Sequence, residues 1–235
     1  MTSPTAPALI GIAHGSRNRS SSEATEQLVH AAGKLLQTAS HAAYLEDFAS
    51  PSIPQVAAQL SADGHARAIA VPLLFTSAYH ATVDAPGGIR EAAEQHAVAV
   101  TQSDVLGTGD DMLEVLLTHL ATHEDSSLAD ARGQVVLFAV GSSRPGANEA
   151  VTDLAERLAE ATGRMACARF ATCAPRAKDH LEAATAPGTF LPLFTAPGLL
   201  LDSLAARAEA AGWQVLPHLG TSLAPLVAAR YRAAL

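Results

Sequence analysis

Apolar residues in this chain come in short runs that stop at polar or glycine-bearing turns and alternate with longer stretches of helical period. Residues 9–13 (LIGIA) form the first run and read as a buried β-strand. The polar cluster at 18–22 then supplies caps for a helix beginning near Ser21. Leu28, Ala31, Ala32, Leu35 and Leu36 form one stripe of that helix over 23–37. Further strands are expected at 41–48, 68–75 and 98–101, with helices at 54–62, 84–95 and 112–122 between and after them. Strands alternating with helices predict parallel βαβ units. In such sheets ligands sit at the carboxyl ends of the strands.

Past a polar, acidic stretch at 123–133 (HEDSSLADARG), the pattern starts again. A strand at 134–140 ends in Gly141-Ser142-Ser143-Arg144, echoing Gly15-Ser16-Arg17, and Glu149, Ala150 and Leu154 repeat Glu23, Ala24 and Leu28 at an offset of 126. The prolines Pro51 and Pro175 repeat at 124, and PLLFT at 72–76 is matched by PLFT at 192–195. An internal repeat of this length predicts two α/β halves. We expect an N-terminal domain at 1–124 carrying the active site, a linker at 125–133, and a degenerate C-terminal repeat at 134–235. Each half should be Rossmann-like or flavodoxin-like, a parallel sheet of about four strands flanked by helices, with the active-site cleft between them.

Composition narrows the function. Aromatics make up 4% of a chain that is 49% hydrophobic, so Ala, Leu and Val build the core. A net charge of −8 argues against a nucleic-acid or membrane partner that binds through a broad basic face. No run is long enough to span a bilayer, so the protein is expected to be cytoplasmic, and the fused repeat predicts a monomer. Cys167 and Cys173 have neither redox nor zinc-site spacing and read as ordinary thiols. His30, His41, His65, His96, His119 and His123 read as surface residues.

His14, Glu46 and His80 each follow a different expected strand at its carboxyl end. By the repeat offsets, His14 falls opposite Val140, Glu46 opposite Phe170, and His80 opposite Leu199 or Gly198. That pattern fits one site kept in the first half and lost from the second. Neighbouring parallel strands lie about 4.8 Å apart, so their end residues can converge on one ion. Two imidazoles and a carboxylate form a borderline-soft set suited to Fe²⁺, Co²⁺, Ni²⁺ or Zn²⁺, and three ligands leave positions open.

The segments AHGSR at 13–17, YLEDFASPSIP at 44–54 and VPLLFTSAYHATVDAP at 71–86 resemble the sirohydrochlorin chelatases of the CbiX and SirB type, the class II chelatases, in their long two-repeat form. The resemblance implies a lyase of siroheme or cobalamin biosynthesis that inserts Fe²⁺ or Co²⁺ into a tetrapyrrole without ATP. His14, His80 and Glu46 would then be both the catalytic and the metal-binding residues. The metal is a substrate, and no permanently bound cofactor is expected. Gly15, Ser16, Arg17, Arg19, Tyr79, Ser142 and Arg144 would hold the polycarboxylate sirohydrochlorin, with Arg90 a further basic residue. A histidine phosphatase would require an arginine directly before the first histidine, where this chain has Ala13. The same ligands would also serve a non-catalytic metal or tetrapyrrole carrier.

Overall fold

The computed structural model of the chain describes residues 6–46, 49–76, 85–126 and 133–235. It contains two parallel four-stranded sheets. In the first sheet the elements run β1 (Ala8–Ala13), α1 (Arg19–Leu36), β2 (Ser40–Tyr44), α2 (Ile53–Ala62), β3 (Arg67–Pro72), α3 (Ala85–Gln95) and β4 (Ala99–Gln102), with strand order β2-β1-β3-β4. All six residues of β1 are buried, as its place in the middle of the sheet requires. Ile10 and Ile12 face Val56, Leu60 and Val98 on one side, and Gly11 meets Val29 of α1 on the other. The register sets Ala13 opposite Tyr44 on β2 and Ile12 opposite Pro72 on β3. Loops leaving β1, β2 and β3 therefore start side by side at one edge of the sheet.

Local sequence fixes the helix that follows the first loop. Asn18 is its N-cap, with Oδ1 accepting the Ser20 backbone N–H at 3.1 Å, so α1 begins at Arg19, two residues before the expected start. Gln37 ends the helix in the left-handed region at φ 55°. Tyr44 donates its hydroxyl to the Ser22 carbonyl at 3.3 Å, and burial pushes that phenol above its ordinary pKa.

The second sheet is built from β5 (Gln134–Ala139), β6 (Ala166–Phe170), β7 (Gly188–Pro192) and β8 (Gln214–Val215) in the order β6-β5-β7-β8. Its helices are α5 (Pro145–Thr162), α6 (Ala177–Ala183) and α7 (Leu199–Ala210). Phe138, Phe190, Leu204 and Trp213 lie in its core, bulkier than the small aliphatic core of the first sheet.

The compact units do not follow the sequence halves. One comprises the chain up to Gly107 together with Gly220–Leu235; the other is Thr108–Leu219. Thus α4 (Asp110–His123), expected at 112–122 in the first half, packs beside α5 in the second unit, and α8 (Ala224–Ala233) packs beside α1 and β3 in the first. Buried polar bonds explain both placements. Glu124, at the end of α4, pairs with Arg164 at 2.5 and 2.8 Å and accepts the Thr189 hydroxyl, with the acid and the arginine almost wholly buried. In the first unit, Arg230 of α8 donates to the carbonyls of Val105 and Leu106, and Tyr231 donates to that of Pro7. The unit limits therefore lie away from the expected 1–124, 125–133 and 134–235.

Two histidines depart from the surface assignment: His41, on β2, is half-buried, and His119 is buried. His119 is 3% exposed, lies against His123 with tilted rings whose centroids are 4.4 Å apart, and has Nε2 3.0 Å from the Pro217 carbonyl. It lies on the packed side of α4, with Leu116 and Leu120. Both cysteines are free and partly buried.

Candidate metal and tetrapyrrole site

The loop after β1 carries His14, and the loop after β2 carries Glu46. The two strands continue their pairing past their ends: the Leu45 N–H donates to the Ala13 carbonyl at 3.1 Å and the Glu46 N–H to the His14 carbonyl at 3.0 Å. That extension brings the side chains together, with His14 Nε2 3.3 Å from Glu46 Oε1. Their side chains are 46% and 37% exposed, so an ion or a ligand can reach both.

The separation has chemical meaning. A charge-assisted N–H···O contact usually closes to about 2.7–2.9 Å. Two ligands about 2.0–2.2 Å from one ion lie roughly 2.8–3.1 Å apart in octahedral and roughly 3.3–3.6 Å apart in tetrahedral geometry. At 3.3 Å the His14–Glu46 contact is longer than such a charge-assisted bond and leaves the two groups close enough to share one ion. Among the described residues no group of three or more His, Cys, Asp and Glu side chains is disposed to hold a metal ion. His80 and Tyr79, assigned from the sequence to the same site, lie outside the described residues.

Gly15 holds this geometry. Its φ is +105°, and a Cβ there would sit 2.9 Å from the Ala49 Cβ and 3.4 Å from the Glu46 Cβ. A side chain would therefore push the loops carrying His14 and Glu46 apart. Ser16 Oγ accepts the Asn18 N–H at 3.1 Å, which tightens the turn into α1. Arg17 is exposed beside it. Arg19 points along its own helix and pairs with Glu23 at 2.9 Å, and Arg90 is exposed on α3.

The second unit preserves the frame and changes the side chains. The Ala171 N–H donates to the Ala139 carbonyl at 2.9 Å, and the Thr172 N–H to that of Val140 at 3.0 Å. Gly141 has φ +90°, and a Cβ on it would clash with Cys173 Sγ at 2.6 Å. The Arg144 N–H donates to Ser142 Oγ at 3.1 Å, as Asn18 does to Ser16. Val140 thus stands where His14 does. Glu46 is matched by Thr172 and not by Phe170, which pairs with Ala139 as Tyr44 pairs with Ala13. The isolated bridges Tyr44–Ser52 and Phe170–Arg176 show why: the second loop is two residues shorter, and the loss falls after Thr172. Thr172 is polar, but its hydroxyl donates to the Val140 carbonyl at 2.8 Å. Arg144 corresponds to Asn18 and not to Arg17, and Asn148 Oδ1 accepts the Ser142 N–H at 2.8 Å.

The family model described as CbiX matches residues 8–123. Sirohydrochlorin ferrochelatase of Priestia megaterium is 26% identical over 208 residues, covering 84% of this chain and 74% of that protein. SirB from Bacillus subtilis with Fe³⁺ aligns with a TM-score of 0.80 and 19% identity over 98% of this chain and 96% of its own. SirB from B. subtilis subspecies spizizenii in complex with cobalt aligns at 0.77, also with 19% identity, over 98% and 95%. The structural likenesses extend through both sheets, and the matched family segment, which ends before the second sheet, contains the loops that bear His14 and Glu46. The chain belongs to the CbiX-type sirohydrochlorin chelatase family.

Proposed function

We propose that this protein inserts a divalent metal ion, Fe²⁺ or Co²⁺, into sirohydrochlorin without ATP, and that His14, Glu46 and His80 carry the reaction. The observation behind this reading is the 3.3 Å His14–Glu46 pair, open to solvent at the carboxyl edge of a parallel sheet. Its support from relatives is the similarity to a sirohydrochlorin ferrochelatase.

The chemistry follows from charge balance. As a dication enters the macrocycle, two pyrrole N–H protons must leave, so the site needs ligands that bind the ion loosely and a base that works near neutral pH. Imidazole does both, and histidine titrates in that range. Glu46 lowers the charge of the bound ion, and the Gly15 carbonyl, 3.4 Å from His14 Nδ1, orients the ring. Ring nitrogens then replace the protein ligands one by one, while the freed imidazoles of His14 and His80 take one proton each and pass them to solvent. Holding ion and macrocycle in register supplies much of the rate. The backbone N–H groups of the Gly15 turn, the Ser16 hydroxyl and Arg17 bind substrate carboxylates. Arg19, held by Glu23, plays a smaller part, and Tyr79 is assigned to the same substrate pocket.

Among the described residues no helix is long and apolar enough to cross a membrane. We place the enzyme in the cytoplasm as a monomer, with a tetrapyrrole and no nucleic acid as its partner. Anaerobic mixing of metal-free sirohydrochlorin, Co²⁺ and substoichiometric protein tests the reading through the visible spectrum. Multiple turnovers above the protein-free rate are expected. Binding without turnover would make the protein a carrier.

A further inference from the structure

Two backbone bonds pin the chain where it leaves β3 in the first unit. The Leu73 N–H donates to the carbonyl of Ile12, two residues before His14, at 2.7 Å, and the Leu106 N–H donates to the Leu74 carbonyl at 2.9 Å. From Leu74 the sequence runs on to Tyr79 and His80, which lie outside the described residues. This stem is thus held on one side by the strand that leads to His14. On the other side it is held by residues 105–106, past the end of β4.

Residues 105–106 belong to no strand, and the chain turns out of the first unit directly after them, at Gly107 with φ +78°. Their brace comes from α8. Arg230, partly buried, donates Nε to the Val105 carbonyl at 2.8 Å and Nη2 to the Leu106 carbonyl. Two donors on one edge of a planar guanidinium fit two successive carbonyls, a fork that the compact ammonium of lysine lacks. The second unit repeats the pins and changes the brace. There the Leu193 N–H donates to the Phe138 carbonyl at 2.7 Å and the Leu219 N–H to the Phe194 carbonyl at 2.9 Å. The helix contact beside them is a single ring nitrogen, His119 Nε2, 3.0 Å from the Pro217 carbonyl. The arginine fork therefore stands behind the stem that leads to a histidine, and the other stem leads through 195–200 (TAPGLL) to none.

We propose that Arg230 is a positioning residue for metal insertion: through the carbonyls of Val105 and Leu106 it fixes the Leu74 stem, and with it the reach of His80 to the ion shared by His14 and Glu46. The inference rests on the proposed function, in which His80 is a metal ligand. Arg230 acts through the backbone and needs no contact with ion or macrocycle. A loosened stem widens the range of positions open to one ligand, which lowers ion affinity and the share of productive complexes. The groups assigned to the substrate carboxylates, the Gly15 turn and Arg17, stay in place.

Co²⁺ titration of the full-length protein without tetrapyrrole, followed by anaerobic insertion kinetics, tests this. Arg230→Met should weaken Co²⁺ binding and lower kcat by about tenfold each, with KM for sirohydrochlorin within about twofold of wild type. Arg230→Lys keeps one donor and should lose about threefold, and it carries the test if circular dichroism shows the methionine variant misfolded. His119→Ala removes the matched contact in the second unit and should leave Co²⁺ binding and kcat within about twofold. A cycle with His80→Ala separates positioning from general loosening. Adding an Arg230 substitution to His80→Ala should weaken Co²⁺ binding no further, whereas a merely structural arginine would add its full effect. Wild-type Co²⁺ binding and kcat in the Arg230 variants, equal losses in His119→Ala, or losses that add to those of His80→Ala would each overturn the positioning role and leave the chelatase function standing. Conversely, a wild type that binds Co²⁺ in this Arg230-dependent way but never metallates sirohydrochlorin would refute the chelatase function and keep the positioning role. A wild type that binds no Co²⁺ overturns both.

Discussion

The loops at Gly15 and Gly141 share one backbone and differ in what it presents. Each has a glycine at positive φ, a serine hydroxyl bonded to the N–H two residues on, and a ladder that continues one residue into the neighbouring strand's loop. On that common frame the first unit sets a histidine 3.3 Å from a carboxylate, whereas the second sets a valine beside a threonine whose hydroxyl is bonded to the valine carbonyl. The frame is thus a property of the fold, and the chemistry is a property of a few side chains placed on it. One backbone with exchanged side chains separates what the fold requires from what each loop presents.

The largest effect should come from removing what the first unit takes from the far end of the chain. Ending the chain after Leu219 deletes α8, whose Leu226, Val227, Ala228 and Tyr231 are buried in the unit that holds His14. Each large apolar side chain is worth about 1.5–3 kcal/mol on burial, so the loss rivals a domain's typical net stability of about 5–15 kcal/mol. Urea unfolding followed by circular dichroism should show the first unit largely unfolded. A retained two-unit transition would contradict the exchange of helices.

Smaller effects separate the two loops. Gly15→Ala and Gly141→Ala both force a side chain into the left-handed region against close neighbours, and each should cost about 1–3 kcal/mol in stability. Only Gly15→Ala should also lower kcat, because its Cβ meets the loop that carries Glu46. Equal losses of kcat in both variants would mean that the second loop takes part in the chemistry.

The smallest difference is in pH dependence. Burial pulls His119, His180 and His218 below the ordinary histidine range in the second unit, with His123 and His218 adding to the effect at His119 and Arg169 at His180. In the first unit, among the described residues, His41 alone is lowered, again by burial. A histidine whose folded pKa is depressed binds a proton more readily unfolded. Its stabilising contribution is full above the unfolded pKa of about 6.5 and is lost as pH falls below it. Urea midpoints from pH 8 to 5 should therefore fall more for the second unit, and His119→Gln should flatten that slope.

Much of this was legible in the sequence. The alternation of strands and helices, the repeat, and the loop placing of His14 and Glu46 came from apolar runs ending at polar turns. The exchange of α4 and α8 was not, because an apolar helical stripe states that a face is buried and not which sheet covers it. Leu116 and Leu120 in one helix and Leu226 and Val227 in the other give the same signal. His119 was misassigned for a related reason: its carbonyl partner, Pro217, lies far along the chain. The partner of Glu46 was misplaced because the proline offset counts residues lost without locating the loss.

One comparison of matched positions is decisive. At saturating sirohydrochlorin and Co²⁺, the rate of metal insertion should fall at least a hundredfold in His14→Ala and stay within about twofold of wild type in Val140→Ala, as expected when only one of the pair touches the reacting ion. Equal rates in the two variants, whether both impaired or both normal, would contradict a single metal site in the first unit.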